Sequence, residues 1–210
     1  TTGSVSLAAA FALDGYSVAL VDADPQCNAT DSFGIDKDSL LEEGRYTLAD
    51  AYLTKKAARD IEYQFPEERF GGQLTLIPGN RGLNTVSHQL DAQLQATVSN
   101  ENYSDLDADD IKNEHRMRLR QSLESLRSHR DLVIIDTPRE RGFLMTTALI
   151  ASDWYIVPLF PSGYDLNGLE TLWKTVEKVR SRFNPGLKLL GVLLGNFDSR
   201  PKLDNDIQKM

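Results

Sequence analysis

The sequence predicts a three-layer α/β domain around a mostly parallel sheet. Two features predict it. Short, continuous apolar runs of four to six residues recur along the chain, as expected of strands buried on both faces. Turn chemistry follows each run, and stretches with apolar residues every three or four positions lie between them, which implies βαβ units.

The elements follow in order. Residues 3–14, rich in Ala and Leu, read as a helix closed by Gly15, which suits the left-handed position beyond a helix C-terminus. Residues 17–21 read as a strand that Asp22-Ala23-Asp24-Pro25 brings to a stop. Residues 74–77 read as a second strand, before Pro78. A helix from about Ile111 to His129 leads to a third strand at residues 132–135, followed by Asp136-Thr137-Pro138. Residues 154–157, before Pro158, and residues 189–194, before Gly195-Asn196, complete the set. Between these two, Leu166, Leu169, Trp173, Val176, Val179 and Phe183 return at spacings of three and four, the pattern of a helix with one buried face. No solenoid-type repeat is present. Residues 99–115 fit this rhythm poorly: they carry six acidic residues and one lysine, and read as an acidic surface loop inserted in the domain. A calcium loop is rejected there. Asp105, Asp107 and Asp109 take the first, third and fifth positions, but Asp110 stands where glycine is needed and Arg116 where the closing glutamate belongs.

The 210 residues hold 23 Lys or Arg against 31 Asp or Glu, a net charge of −8, and 40% are hydrophobic. This excludes a wholly disordered chain and suits a single domain over residues 1–210. No apolar run nears the roughly 18 residues of a bilayer-spanning helix, so no membrane role is expected. Cys27 is the sole cysteine, which excludes an intrachain disulfide, a paired-thiol redox motif and a cysteine-built zinc site. The N-terminus does not read as a secretory leader, and the cytoplasm is the expected location. The acidic total argues against a nucleic-acid coat over the whole surface. Residues 171–210 nevertheless carry eight basic against four acidic residues, a local +4, which leaves −12 elsewhere.

Chemistry is expected beyond the carboxyl ends of parallel strands. Two strands end there in aspartate, one at Asp22 with Asp24 two residues on, the other at Asp136. Each alone reads equally as a turn or a helix cap. Together, three carboxylates on one edge repel one another unless a cation sits among them, and oxygen ligands with retained water suit Mg²⁺ and a phosphate. The first helix begins at Thr1-Thr2, where a phosphate would meet unpaired N–H groups and a hydroxyl would complete a magnesium shell, or where the pair is simply a good N-cap. No G-x-x-x-x-G-K-[ST] motif occurs in the chain, which starts at Thr1 with no initiator methionine; Thr1 as the last residue of such a motif, in a fragment of a longer protein, is the expectation.

Six segments in order carry a resemblance to a known family: Thr1-Thr2 before an Ala-rich helix; Val21-Asp22-Ala23-Asp24-Pro25-Gln26-Cys27-Asn28-Ala29-Thr30; residues 132–138 (LVIIDTP); residues 148–153 before the strand ending at Pro158; residues 164–169 (YDLNGL); and residues 190–200 (LGVLLGNFDSR). The chain resembles the ParA/MinD deviant Walker-box ATPases, ParA more closely than MinD. The resemblance implies a P-loop NTPase fold, ATP and Mg²⁺ as cofactors, and a fragment lacking the N-terminal strand and phosphate loop as well as the C-terminal portion, and therefore poorly stable and inactive alone.

In that scheme Thr1 is the Mg²⁺-ligating hydroxyl and Thr2 contacts the phosphates. Asp136 is the Walker B aspartate, holding Mg²⁺ through water. Asp24 positions the attacking water, Asp22 lies beside the metal and nucleotide, and Asn196 is a candidate for the adenine. The implied biology is an ATP-dependent sandwich homodimer that partitions or positions a plasmid, chromosome or other cargo, with a ParB-like or cargo adaptor and nonspecific DNA as partners. Lys174, Lys178, Arg180 and Arg182 form a basic helix face that suits DNA phosphates or plain solvent. Arg139-Glu140-Arg141 after the Walker B segment departs from the family, which leaves open a nucleotide-binding scaffold without efficient turnover. An ATP-dependent ligase of the dethiobiotin or cobyrinate synthetase type is the other alternative.

Overall fold

A computed structural model describes residues 1–99, 105–159 and 165–195. The chain forms two compact units, Thr1–Ala151 and Ser152–Met210. In the first, α1 (Thr2–Leu13) leads to β1 (Val18–Asp22), followed by the short helices α2 (Asn28–Ser32), α3 (Ser39–Glu42) and α4 (Leu48–Thr54). Then come β2 (Tyr63–Gln64), β3 (Leu74–Ile77), α5 (Val86–Val98), α6 (Asp105–Leu123), β4 (Leu132–Asp136) and α7 (Phe143–Ala151). Four strands form one sheet in the order β2-β3-β1-β4. β3, β1 and β4 run parallel, and only β2 is antiparallel, on the edge. The chain leaves central β1 for β3 on one side and reaches β4 on the other, so the β1 carboxyl end is a topological switch point.

Alternation along the strands builds the three layers. Ala19, Val21 and Ile77 face one way and pack against Tyr52, Leu83, Leu90, Leu119, Leu123 and Ala148, which come from α4 to α7 and the turn before α5. Val18, Leu20, Leu74 and Leu76 face the other way, onto Ala8 and Ala12 of α1, Ala29 of α2, and Phe33, Leu40 and Phe65. β1 is buried along its whole length, as its unbroken apolar run requires. In register, Asp22 lies opposite Asp136. By the same alternation both aspartates belong to the α1 and α2 face.

At the other end of the sheet a buried ion pair closes the strands' starts. Glu62 Oε1 accepts from Arg130 Nε and from Thr75 Oγ1, each at 2.8 Å, and lies 2.8 Å from a terminal guanidinium nitrogen of Arg130.

The second unit holds β5 (Trp154–Leu159), α8 (Asp165–Arg182) and β6 (Lys188–Leu194). β5 and β6 pair in parallel with one irregularity between Tyr155 and Ile156. Among the described residues of α8, Val176 and Val179 of the expected apolar face are buried, whereas Trp173, at 57% exposure, is turned to solvent.

The structure corrects the reading of residues 99–115 as loop. Residues from Asp105 onward are helical, and α6 runs on to Leu123 with a final tight turn, Glu124–Leu126. The acidic residues cluster at the N-terminal end of α6, where the helix dipole favours negative charge, and the same charge that suggested a solvated loop therefore supports a helix. Asp107, Asp109 and Asp110 are solvent-exposed or nearly so. Among the described residues no helix is long and apolar enough to cross a membrane.

Candidate active site

The carboxyl edge of the first unit gathers the ends of β1, β3 and β4 and the start of α1. Thr1 is the N-cap of α1, and its side chain makes no capping hydrogen bond. The Thr1 main-chain nitrogen lies 3.1 Å from Asp136 Oδ1, and Ser4 Oγ, one turn along the helix, donates to the same oxygen at 2.8 Å. Asp136 is buried, and its other oxygen, Oδ2, has no hydrogen-bond partner among the described residues. A buried acceptor left without a donor is costly, so this oxygen marks a place where a ligand's donor or a cation's water belongs.

Asp22 is treated differently by its surroundings. Its Oδ2 accepts two hydrogen bonds of 2.7 Å from Thr30, one from the main-chain N–H and one from the hydroxyl. Its Oδ1 accepts from the Asp24 N–H at 3.3 Å. Burial pushes the Asp22 carboxyl up to about 6, with the neighbouring Asp136 charge adding to the rise and the Thr30 hydrogen bonds opposing it. Asp24 is half-buried on the loop between β1 and α2, and its Oδ1 accepts from the Gln26 N–H at 2.8 Å, which fixes the turn.

Cys27 closes this loop in the left-handed region at φ 58°, fully buried, with its Sγ donating to the Pro25 carbonyl at 3.4 Å. Burial, with Asp22 close by, pushes its thiol up to about 12, so it is an inert packing group. From β3, Gly79 packs so tightly that an added Cβ would stand 2.7 Å from the Asp22 carbonyl oxygen and 3.2 Å from Cys27 Sγ. Glycine is required here by close approach, not by its backbone angle.

The expected residues Thr1, Asp22, Asp24 and Asp136 thus meet at one edge, and Thr2 opens α1 beside them. Asn196 lies outside the described residues. The picture of three carboxylates ringing one cation needs revision: Asp22 is spent on protein donors. Among the described residues no group of three or more His, Cys, Asp or Glu is placed to hold a metal. Mg²⁺ keeps much of its water and takes one or two carboxylates together with phosphate oxygens, and the buried Asp136 carboxylate beside the start of α1 fits that demand. Ser4, Thr30 and Gly79 are site residues that sequence reasoning missed. Thr30 stood inside the quoted motif, but nothing in the motif says what its hydroxyl touches.

A mostly parallel sheet with helices packed on it, and acidic strand ends beside the start of the first helix, defines the class of open α/β folds that place a ligand site beyond the carboxyl ends of their strands. The family description AAA domain matches residues 1–189. Sporulation initiation inhibitor protein Soj of Bacillus subtilis is 34% identical over 203 residues, which cover 97% of this chain and 70% of Soj. Chromosome partitioning protein ParA of Myxococcus xanthus is 31% identical over 207 residues, 99% of this chain and 64% of that protein. Among solved structures, cobyrinic acid a,c-diamide synthase from Mycobacterium smegmatis, with a bound ATP analogue and magnesium, superposes with a TM-score of 0.76 at 28% identity, over 99% of this chain and 74% of that one. The chain belongs to the ParA/MinD family of P-loop ATPases.

Proposed function

We propose that this chain binds Mg²⁺-ATP at the carboxyl edge of its first unit and hydrolyses it, in a ParA-like cycle that positions DNA or another cargo. The observation that carries the reading is the Asp136 pair of oxygens, one held by Ser4 beside the start of α1 and one buried and unpaired at the strand end. Bound there, Mg²⁺ would neutralise charge on the phosphates, held by the Thr1 hydroxyl and, through water, by Asp136. Thr2, at the first turn of α1, would donate to phosphate oxygens, where the helix dipole favours negative charge. Asp24 would orient the attacking water. Phosphoryl transfer asks little covalent chemistry of a protein, so placing that water and countering charge is the main work. Asn196 is kept as the candidate for adenine.

The cycle includes an ATP-dependent sandwich homodimer, reset by hydrolysis, with a ParB-like or cargo adaptor as stimulating partner and cytoplasmic, nucleoid-associated residence. Nonspecific DNA is the proposed surface partner. On α8, Lys174 is paired with Glu170 and Arg180 with Glu177, so the contribution of that face to DNA binding is modest. The ligase reading is favoured by one observation, the 28% identity to a cobyrinic acid a,c-diamide synthase solved with an ATP analogue and magnesium. ATP turnover by the protein expressed from its complete gene separates the two. Turnover without any acid or amine acceptor, accelerated by DNA or an adaptor, supports the partitioning role. Turnover only with a carboxylic acid substrate supports the ligase, and nucleotide binding without turnover under either condition supports a scaffold.

A further inference from the structure

We propose that Thr30 is a positioning residue for ATP hydrolysis, its hydroxyl pinning three segments of the site into one joint and so fixing the loop that carries Asp24. The proposal rests on the ATPase reading of this edge. Thr30 is wholly buried, and its hydroxyl is used in both directions: it donates to Asp22 Oδ2 at 2.7 Å and accepts from the Gly79 N–H at 3.1 Å. Its main-chain N–H donates to the same Asp22 oxygen at 2.7 Å. Through Asp22 Oδ1 the joint reaches the Asp24 N–H, so the position of Asp22 sets where the Asp24 backbone begins its turn.

The third segment is the loop after β3. Gly79 brings its backbone against Asp22, and the preceding Pro78 carbonyl accepts from Leu48 N–H at 2.9 Å, which ties the joint on to α4. One hydroxyl therefore couples β1, α2 and the β3 loop at the point where Asp24 leaves the sheet. No proton leaves the hydroxyl, and Thr30 touches no reacting atom.

Loss of this hydroxyl leaves Asp22 Oδ2 with one donor in place of two and strands the Gly79 N–H, and the Asp24 loop then wanders. Misplacement by about 1 Å costs on the order of 10²-fold in rate while leaving substrate binding largely intact. The test compares Thr30→Val and Thr30→Ser with wild type in the protein expressed from its complete gene, with kcat and KM for ATP and thermal melts on each. Thr30→Val is expected to lose kcat by that order with KM little changed, and Thr30→Ser, which keeps the hydroxyl, to retain kcat within about threefold. A Thr30→Val kcat equal to wild type overturns the proposal. So does a Thr30→Ser kcat as low as that of Thr30→Val, a comparison that stands even if the valine variant folds poorly, since serine keeps the hydroxyl and its failure would show that the hydroxyl is not what fixes the loop. If wild type itself shows no ATP turnover while nucleotide binds, the ATPase reading fails first and takes this proposal with it.

Discussion

Acidification should stabilise this protein through Asp22, against the usual behaviour of a carboxylate. The carboxyl is fully buried and its pKa stands at about 6, raised from 3.8, chiefly by burial. The native state therefore binds more protons than the unfolded chain between these two values, and stability contributed by this group rises as pH falls through that window. With those two pKa values, linkage gives a gain of about 1 kcal/mol on going from pH 7.5 to 5 and about 2 kcal/mol on reaching pH 4.

Other carboxylates move in their own directions, and Glu114, held below its usual value by Lys55, moves oppositely. The assay therefore takes a difference. Urea unfolding of wild type and Asp22→Asn is followed at pH 7.5, 5 and 4, and the wild-type advantage over the variant is plotted against pH. The asparagine does not titrate, so contributions from groups that do not feel the Asp22 charge cancel, and the difference reports Asp22 together with its interacting neighbour Asp136. The difference should shift in favour of wild type by the amounts above, within about a factor of two. A difference that is flat from pH 7.5 to 4, or that moves against wild type, refutes the reasoning.

Further outcomes follow from other parts of the fold. Replacing Arg130 by methionine leaves Glu62, whose side chain is only 7% exposed, without its ion-pair partner, and unfolding measurements should show a loss of about 3–5 kcal/mol. Tyr52→Phe removes the buried 2.7 Å hydrogen bond to Thr147 Oγ1 and should cost about 1 kcal/mol in the same assay, because Thr147 keeps its bond to the Leu144 carbonyl. Gly79→Ala drives a methyl toward the Asp22 carbonyl and should lower both stability, by about 1–3 kcal/mol, and ATP turnover. Asp24→Ala should leave nucleotide affinity near wild type while lowering kcat by about 10²-fold or more in a phosphate-release assay.

Much of this fold is legible in the sequence because buried parallel strands announce themselves. The runs at β1, β3 and β4 are largely apolar and stop at Asp or Pro, and the observed strands match those runs closely at each end, although β4, on the edge of the sheet, is only partly buried, with Val133 exposed. Other elements escape for physical reasons. α2 and α3 have five and four residues, too few for a periodicity to show. α5 did carry a signal, since Val86, Leu90 and Leu94 are its buried residues at a spacing of four, but polar residues between them dilute it. The early start of α6 was hidden because acidic composition reads as solvation until the dipole of a helix start is considered.

The site divides in the same way. Asp22 and Asp136 are legible as strand ends, and their pairing follows once β1 and β4 are neighbours. The hydroxyls that hold them are not: Ser4 and Asp136 are 132 residues apart in sequence, and the Gly79 N–H that binds Thr30 comes from the loop after β3. Such contacts are set by packing of α1 and α2 on the sheet, and residue spacing carries no trace of them.

The most direct measurement of the central claim is a crystal structure of the protein expressed from its complete gene, with Mn²⁺ in place of Mg²⁺ and a non-hydrolysable ATP analogue, using the anomalous signal of manganese. The account predicts one strong peak beside the start of α1, within about 5 Å of Asp136 Oδ2, with the γ-phosphate between the metal and the Asp24 loop. A nucleotide and metal bound elsewhere on the molecule, with the Asp136 edge unchanged, would contradict it.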